Sequence, residues 1–543
     1  MINPLAVKEF LSRPLRSFAW MKSLSEDEVD RRLAAVRPRP IIHPNMRLDQ
    51  KVCFLIGLTY PQFYFMVEMG VGKTFVTIEL LRYWIGYRYM AKAIVLVPTE
   101  EVAWGWMDEL EKWTGMRVPG VVLTDSTSNK WDLVEACNKG LMLMTFQGMF
   151  TMVSDRAKRH RKVQKGNMSR TVKGYSYVPN PKYIASLCQD VGALVVDEVT
   201  KLGNNESMWF RVAWQISRRT WCRYALAGRP FGRDPVMLWP EFKLVDHGET
   251  LGQTIGLFRS AFYAESKNQF ARNKYAKSYS FRSARQPQLS RMLENRSIVY
   301  TSAECIKLPA VSRLKSQVRF PVETAAYYQK MVAQVIAAQG NYSVMKNAFM
   351  RMRQVSSGFL GFRDDETGDK AEIEFQHNPK LDDLMGKLEV LPPGAKWVVF
   401  YEFNWSGRKI SEALKKAKIP HGQVAGGTKD YRALKRRFDT DPAFPGLLVN
   451  CRKGAYGLNL QVASYTFFYE SPISPIDRDQ AERRTIRGGQ KAQRVFLYDL
   501  VMKGSMDERI LDFHREGNDL FAALVRNPAA VVRKVSQGRQ APS

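Results

Sequence analysis

The sequence predicts an α/β protein of two parallel-sheet lobes with helical insertions between them. Three observations carry that expectation. Short apolar runs alternate with helical patterns in two separate series. A Gly-x-Gly-Lys-Thr loop stands at the first strand–helix junction. The stretch between the two series is poor in strand signals and rich in helix formers. The 543 residues suffice for about three to four domain-sized units.

The first series opens with "FYFMV" (63–67), followed by a helical pattern, "TFVTIELLRYWIGY" (74–87). "KAIVLVPT" (92–99) reads as a buried strand, and "WGWMDELEKW" (104–113) as the helix after it. "GLMLMTF" (140–146), "GALVVDE" (192–198) and "RYALAG" (223–228) complete this series. The second series holds "KWVVFYEF" (396–403), "GLLVN" (446–450), "YTFFYE" (465–470) and "RVFLYDLV" (494–501), with helical patterns such as "SGRKISEALKKAK" (406–418) between them. These runs place an N-terminal helical extension at 1–44, the first lobe at 45–245, a helical connector at 246–380, the second lobe at 381–515, and a C-terminal helix and tail at 516–543. A basic insertion at 155–174 interrupts the first lobe and reads as an exposed loop.

Charge sets the chain apart. Its 82 Lys and Arg against 53 Asp and Glu give a net +29, which favours a polyanionic partner, nucleic acid first. An anionic membrane surface would answer to the same charge. Cys53, Cys137, Cys188, Cys222, Cys305 and Cys451 form no CxxC pair, against both a disulfide framework and a zinc ribbon. No apolar run of membrane-spanning length occurs, and a soluble, reduced chain is expected.

In "MGVGKT", Gly70, Gly72, Lys73 and Thr74 lie where a strand gives way to a helix. Backbone N–H groups of such a loop cradle phosphate; the lysine reaches the β and γ phosphates and the threonine hydroxyl takes Mg²⁺. The full phosphate-loop pattern asks for glycine at position 67, where Val67 stands. "ALVVDE" ends a strand on Asp197 and Glu198, suited to holding Mg²⁺ and to activating the attacking water. An acidic strand cap is the plainer reading of that pair taken alone. Gln480, Arg484 and Arg487 recur at helical spacing in "DQAERRTIRGGQ". Arginines there could neutralise charge on a γ phosphate, or belong to a solvated basic helix.

These residues resemble the superfamily-two helicases and, within them, the Swi/Snf-like DNA translocases. "QAERRTIRGGQ" (480–490) meets every fixed position of that family's Q-A-x-x-R-x-x-R-x-G-Q. "MGVGKT" resembles its M-G-L-G-K-T, "GAYGLNL" (454–460) its G-G-x-G-L-N-L, and "RLDQ" (47–50) its R-P-Y-Q box. Likeness continues through "VPTEEVAWGWMDELEKW" (97–113), "ECIKLPAVSRLKSQVRF" (304–320) and "VAGGTKDYRALKRRF" (424–438), over about residues 45 to 515.

The resemblance implies two RecA-like lobes with ATP between them and duplex DNA across both. It implies that Lys73 and Thr74 bind phosphate and Mg²⁺, that Asp197 holds the metal, and that Glu198 activates water. Gln50 would read the adenine, Gln480 would sit near the γ phosphate, and Arg484 and Arg487 would be arginine fingers. The chain departs from the family at Thr200, where histidine is usual, and in "AGRP" (227–230), where Ala227 and Arg229 replace the threonines of T-G-T-P. Lys453 and Tyr456 replace small residues. Hydrolysis therefore looks intact, while its coupling to DNA grip is open.

The expected function is a DNA-stimulated ATPase that moves along duplex DNA, in replication, repair or protein displacement. The alternatives are a strand-separating or branch-migrating helicase, an RNA helicase, and a scaffold that holds ATP and DNA with little turnover. Duplex DNA is the first partner, single-stranded DNA or RNA the alternatives, and no membrane is expected. Arg156, Lys158, Arg159, Arg161, Lys162 and Lys165 could add a DNA contact or form a merely solvated face. The short flanks leave no room for a histone-reading module. A compact translocase in the cytoplasm of a bacterial or virus-infected cell is therefore expected, nuclear if the source is eukaryotic.

Overall fold

Apolar residues on both faces of a strand require cover on both sides, and the first lobe is built that way. The computed structural model describes residues 3–115, 118–123, 129–165, 168–228, 234–267, 277–337, 342–363, 370–425, 431–451 and 458–516. It divides into two units, Met1–Ile306 and Lys307–Ser543.

In the first unit, β1 (Gln62–Val67), β2 (Lys92–Val97), β3 (Gly120–Leu123) and β4 (Gly140–Thr145) are followed by a ribbon of β5 (Ser154–Lys165) and β6 (Met168–Pro179). Then come β7 (Val191–Asp197), β8 (Cys222–Ala227), a second hairpin of β9 (Tyr263–Lys267) and β10 (Lys277–Phe281), and β11 (Ser297–Tyr300). A seven-stranded sheet runs β11-β1-β8-β7-β2-β4-β3, and every pairing in it is parallel. Side chains alternate between two cores. Phe63, Phe65, Val67, Val95 and Val97 enter one; Tyr64, Met66, Ile94 and Leu96 enter the other.

Helices α1 (Pro4–Ser12), α2 (Glu26–Ala35), α3 (Leu48–Thr59), α4 (Lys73–Gly86) and α5 (Glu100–Thr114) supply part of the cover. Ser25 caps α2, its hydroxyl accepting from Glu28 N at 3.3 Å, and three acids in the first turn suit the helix dipole. Val29 and Leu33 of α2 are fully buried in the core that α3 and α4 share. The expected N-terminal extension is thus part of the first unit's core.

The second unit contains β12 (Ala310–Val318), a hairpin of β13 (Phe359–Arg363) and β14 (Lys370–Glu374), then β15 (Trp397–Tyr401), β16 (His421–Val424), β17 (Gly446–Asn450), β18 (Tyr465–Phe468) and β19 (Arg494–Met502). Its six-stranded sheet runs β12-β19-β18-β15-β17-β16, again wholly parallel. Helices Val322–Ala337 and Tyr342–Ser356 pack through Tyr328, Met331, Phe349 and Met352 onto Met506, Ile510 and Phe513 of the helix Met506–Glu516.

Two parallel-sheet lobes with helices are therefore present, and two sequence expectations change. The stretch 246–380 is not a helical connector throughout. Its strand β11 completes the first sheet and β12 opens the second. Both are edge strands. β11 is four residues long, and most of β12 is exposed, so neither carries the apolar run that marks a central strand. The insertion 155–174 is not a loop but the middle of the β5–β6 ribbon, paired from Ser154–Pro179 to Lys165–Met168. Its sequence is too polar for an apolar strand signal. The expected C-terminal helix and tail lie outside the described residues, apart from Glu516.

Candidate active site

The loop after β1 is shaped by its glycines. Gly70 has φ +86° and Gly72 φ +103°, conformations that favour glycine. A Cβ on Gly72 would also lie 2.3 Å from Gln50 Nε2. Gly72 is the left-handed N-cap of the 14-residue α4, and no side chain caps that end. The first amides of the helix are thus left for an external acceptor, the arrangement that binds anions. Lys73 and Thr74 occupy its first two positions, partly exposed. Thr77 Oγ1 donates to Lys73 O at 2.9 Å and tightens the first turn. These features fit a triphosphate with Mg²⁺.

Gln50 sits beneath this loop, and its observed bonds differ from an adenine reader's. Its Oε1 accepts from Arg47 N at 3.1 Å and its Nε2 donates to Val71 O at 2.8 Å. The side chain is 5% exposed and both amide atoms are engaged by backbone. It clamps the start of α3 to the glycine loop. Arg47 adds a bond from Nη2 to the same Val71 carbonyl at 2.6 Å and a two-point pair with Asp49.

Asp197 ends β7. In the registers of the sheet, Leu226 of β8 faces both Asp197 and Phe65 of β1. The acid therefore lies level with Phe65, two strand spacings away, roughly 10 Å. Between them, a Cβ on Gly228, just past β8, would lie 3.6 Å from Met69 N. The glycine loop, the Asp-Glu pair and the start of "AGRP" thus line up along the carboxyl edge of one parallel sheet, where open α/β sheets bind ligands. Arg229 lies outside the described residues.

Among the described residues each oxygen of Asp197 accepts from a protein donor. Trp106 Nε1 reaches Oδ2 at 2.9 Å and Glu198 N reaches Oδ1 at 3.0 Å. The remaining lone pairs suit a water-bridged cation. Trp106 comes from α5, and nothing in its local sequence signals this bond. Glu198 has φ +52°, a left-handed conformation that is uncommon for glutamate and clusters at functional sites. Its backbone then enters a short 3₁₀ turn, Val199–Leu202, which holds Thr200. Among the described residues no group of three or more His, Cys, Asp or Glu is placed to hold a metal by itself.

Behind this edge, Tyr64 donates to Glu241 Oε2 at 2.8 Å, and both residues are fully buried. Burial drives the Glu241 carboxyl well above the usual range, favouring its neutral form. Burial likewise raises the Tyr64 hydroxyl, and its hydrogen bond to Glu241 adds to the rise.

In the second unit, the helix Pro475–Thr485 carries Gln480 and Arg484, 7% and 9% exposed. Arg487 is not on that helix, which caps at Ile486. The expectation of one helical face for all three therefore holds only for Gln480 and Arg484. The turn beyond is pinned by Gly489 at φ +86° and by Gln490, whose Nε2 donates to Ala463 O at 2.9 Å. Sequence reasoning missed the lock on this helix. Arg478 lies over the Phe468 ring at 3.5 Å and pairs with Asp499 and Glu482, while Arg313 of β12 holds Glu482 by two bonds of 2.8 and 2.7 Å. Burial alone would raise the Glu482 carboxyl; Arg313 and Arg478 outweigh it and hold the group below the usual range. Lys453 and Tyr456, and most of "GAYGLNL", lie outside the described residues.

A family model described as the SNF2-related domain matches residues 52–361. The chromatin-remodeling ATPase INO80 of Saccharomyces cerevisiae is 31% identical over 135 residues, covering 24% of this chain and 9% of that protein. INO80 of Gibberella zeae is 30% identical over 165 residues, covering 30% and 8%. The chain thus matches only about a tenth of the length of these relatives. Among solved structures, the Sulfolobus solfataricus SWI2/SNF2 ATPase core in complex with dsDNA is similar at 17% identity and a TM-score of 0.38, covering 91% of this chain and 98% of that one. The Pyrococcus furiosus Hef helicase domain is similar at 14% identity and a TM-score of 0.46, covering 86% and 98%.

Proposed function

The chain belongs to the SNF2-related domain family, and from that premise we propose that it is an ATPase stimulated by duplex DNA and a translocase along it. The observation that carries this reading is the alignment of the glycine loop, Asp197–Glu198 and Gly228 on one sheet edge, within the family-matched residues.

In this proposal the amides after Gly72, with Lys73, bind the β and γ phosphates. Thr74 and Asp197 would hold Mg²⁺, which supplies charge neutralisation at the phosphates. Trp106 and the Glu198 amide fix the Asp197 carboxylate, so that it needs no reorganisation when a cation arrives. Glu198, next in the chain and in a left-handed backbone conformation, accepts the proton of the attacking water. Gln480, Arg484 and Arg487 keep the roles that the family resemblance implies, near the γ phosphate and as charge-neutralising groups. Gln50 acts first through the loop that it clamps, and any contact with adenine would be additional.

Duplex DNA is the partner favoured by the net +29 and by the family. The relatives named above are fungal proteins described as chromatin-remodeling, which lends support to a nuclear setting and none to a bacterial or viral cytoplasm. No described helix is long and apolar enough to cross a membrane.

The test is ATP turnover with duplex DNA, single-stranded DNA or RNA, with Lys73→Ala and Glu198→Gln as controls. Stimulation by duplex is expected, with a loss of two orders of magnitude or more, roughly, in each variant. Turnover indifferent to duplex, or undiminished in both variants, would reject the reading.

A further inference from the structure

The backbone that enters the phosphate loop is bonded to the last turn of the first unit. β1 ends at Val67, level with Tyr300 of β11, and Glu68 N beyond it donates to Tyr300 O at 2.9 Å. Two further bonds join the same segments. Ser302 N donates to Glu68 Oε2 at 2.8 Å, and Ser302 Oγ donates to Met69 O at 3.2 Å. Ser302 opens the helical turn Ser302–Cys305. The first amides of such a turn lack an intrahelical acceptor, and the Glu68 carboxylate supplies one in a charge-assisted bond. At 2% exposure Ser302 is shielded from water, which strengthens both bonds.

A glycine loop needs such ties. Gly70 and Gly72 leave its backbone free to move, whereas a phosphate site must hold its amides in place to a fraction of an ångström. Val71 O is held by Gln50 and Arg47, and that tie leads back into α3. Met69 O is held by Ser302, and that tie leads forward along the chain. The first unit ends at Ile306, just past the turn, and Lys307 begins the second. The turn is itself a fixed anchor. Thr301 and Glu304 form a capping box, with Thr301 N donating to Glu304 Oε2 at 2.7 Å. Lys22 Nζ lies 2.7 Å from Glu304 Oε1 and 4.9 Å from the centre of the Tyr300 ring.

We propose that Glu68 is a positioning residue for the nucleotide. Through Ser302 it joins the start of the phosphate loop to the segment that runs on into the second unit, so that filling the loop and ordering residues 301–306 favour each other. A nucleotide that settles the loop amides also settles Met69 O and the Glu68 carboxylate, and with them the Ser302 amide. Linkage makes the effect reciprocal: whatever holds 301–306 in this place tightens nucleotide binding by the same factor. This inference rests on the reading of the loop as a nucleotide seat.

The experiment titrates the full chain with Mg²⁺-ADP by calorimetry and follows hydrogen exchange in peptides covering 300–306, with and without Mg²⁺-ADP. The variants are Glu68→Ala, Glu68→Gln and Ser302→Pro. Proline removes the Ser302 N–H and suits the first position of a helical turn. It would follow Thr301, whose ψ of 155° is the extended conformation that proline favours in its neighbour. In wild type, ADP is expected to slow exchange over 300–306. In Glu68→Ala and Ser302→Pro, binding should weaken about tenfold, the scale of one charge-assisted hydrogen bond, and ADP should no longer slow that exchange. Glu68→Gln keeps an acceptor and should stay within about threefold of wild type, with the exchange response retained. ATP turnover with duplex DNA should show the loss in KM rather than in kcat. If Glu68→Ala lowers the melting temperature yet keeps the ADP affinity and the exchange response, the carboxylate is a cap for the turn alone and the proposal is overturned. Should Ser302→Pro fail to fold, the contrast between Glu68→Ala and Glu68→Gln decides. Wild-type protein that binds no Mg²⁺-ADP would sink both this inference and the nucleotide reading, whereas wild-type binding with an indifferent Glu68→Ala sinks this one alone.

Discussion

At the scale of single residues, the site is held by bonds that spacing reveals only in part. Gly70, Gly72, Lys73 and Thr74 were legible as one loop because their residue types follow one another directly between strand and helix. Gln50 was legible as a residue of interest, but its two backbone bonds were not, since they depend on where α3 meets the loop. Trp106 was illegible as a partner of Asp197, for the two are 91 residues apart and only the sheet order joins them. Glu241 is the other silent residue. A carboxyl that stays neutral in the fold but ionises in the unfolded chain costs stability as pH rises above the ordinary carboxylate range. Glu241→Gln keeps an acceptor for Tyr64 and removes the titration. Its stability relative to wild type should therefore climb between pH 4 and pH 8, by at most about 1.4 kcal/mol per pH unit. Urea unfolding at several pH values measures this; a difference that stays flat with pH would mean that Glu241 is ionised in the fold.

At the scale of elements, the central strands were legible and the edges were not. Strands buried on both faces, such as β2 and β7, read as unbroken apolar runs, whereas β12 and β16 at the edges of the second sheet do not, and the edge strands β3 and β11 of the first sheet are only four residues long. The helix Pro475–Thr485 was legible by its spacing, but its end was not, and that end moves Arg487 into the following turn. What aligns the helix is the Arg313–Glu482–Arg478–Asp499 chain, which ties it to β12 and β19. Because the Glu482 carboxyl lies below its usual range in the fold, it contributes stability from that range upward and loses it as pH falls through the lowered value. Arg313→Leu removes one of its two cations and raises that value, so acid unfolding should begin at higher pH. Tryptophan fluorescence against pH is the measurement, and an acid midpoint that does not move would remove Arg313 from the lock.

At the scale of the molecule, each unit owns its sheet and its cores, and among the described residues no strand of one sheet comes from the other unit. Two self-contained cores need not melt together. Scanning calorimetry should give a calorimetric enthalpy larger than the van't Hoff enthalpy; a ratio of one would show a single cooperative block. The chain passes from one unit to the other once, and only nine residues separate the last strand of the first sheet, ending at Tyr300, from the first strand of the second, starting at Ala310. A gene cut at the codon for Lys307 would accordingly encode two polypeptides, each carrying every described strand of its own sheet. Fission or fusion of the reading frame at that point trades no strand between the products, so such rearrangements are open to this chain where they are closed to proteins whose sheets interleave.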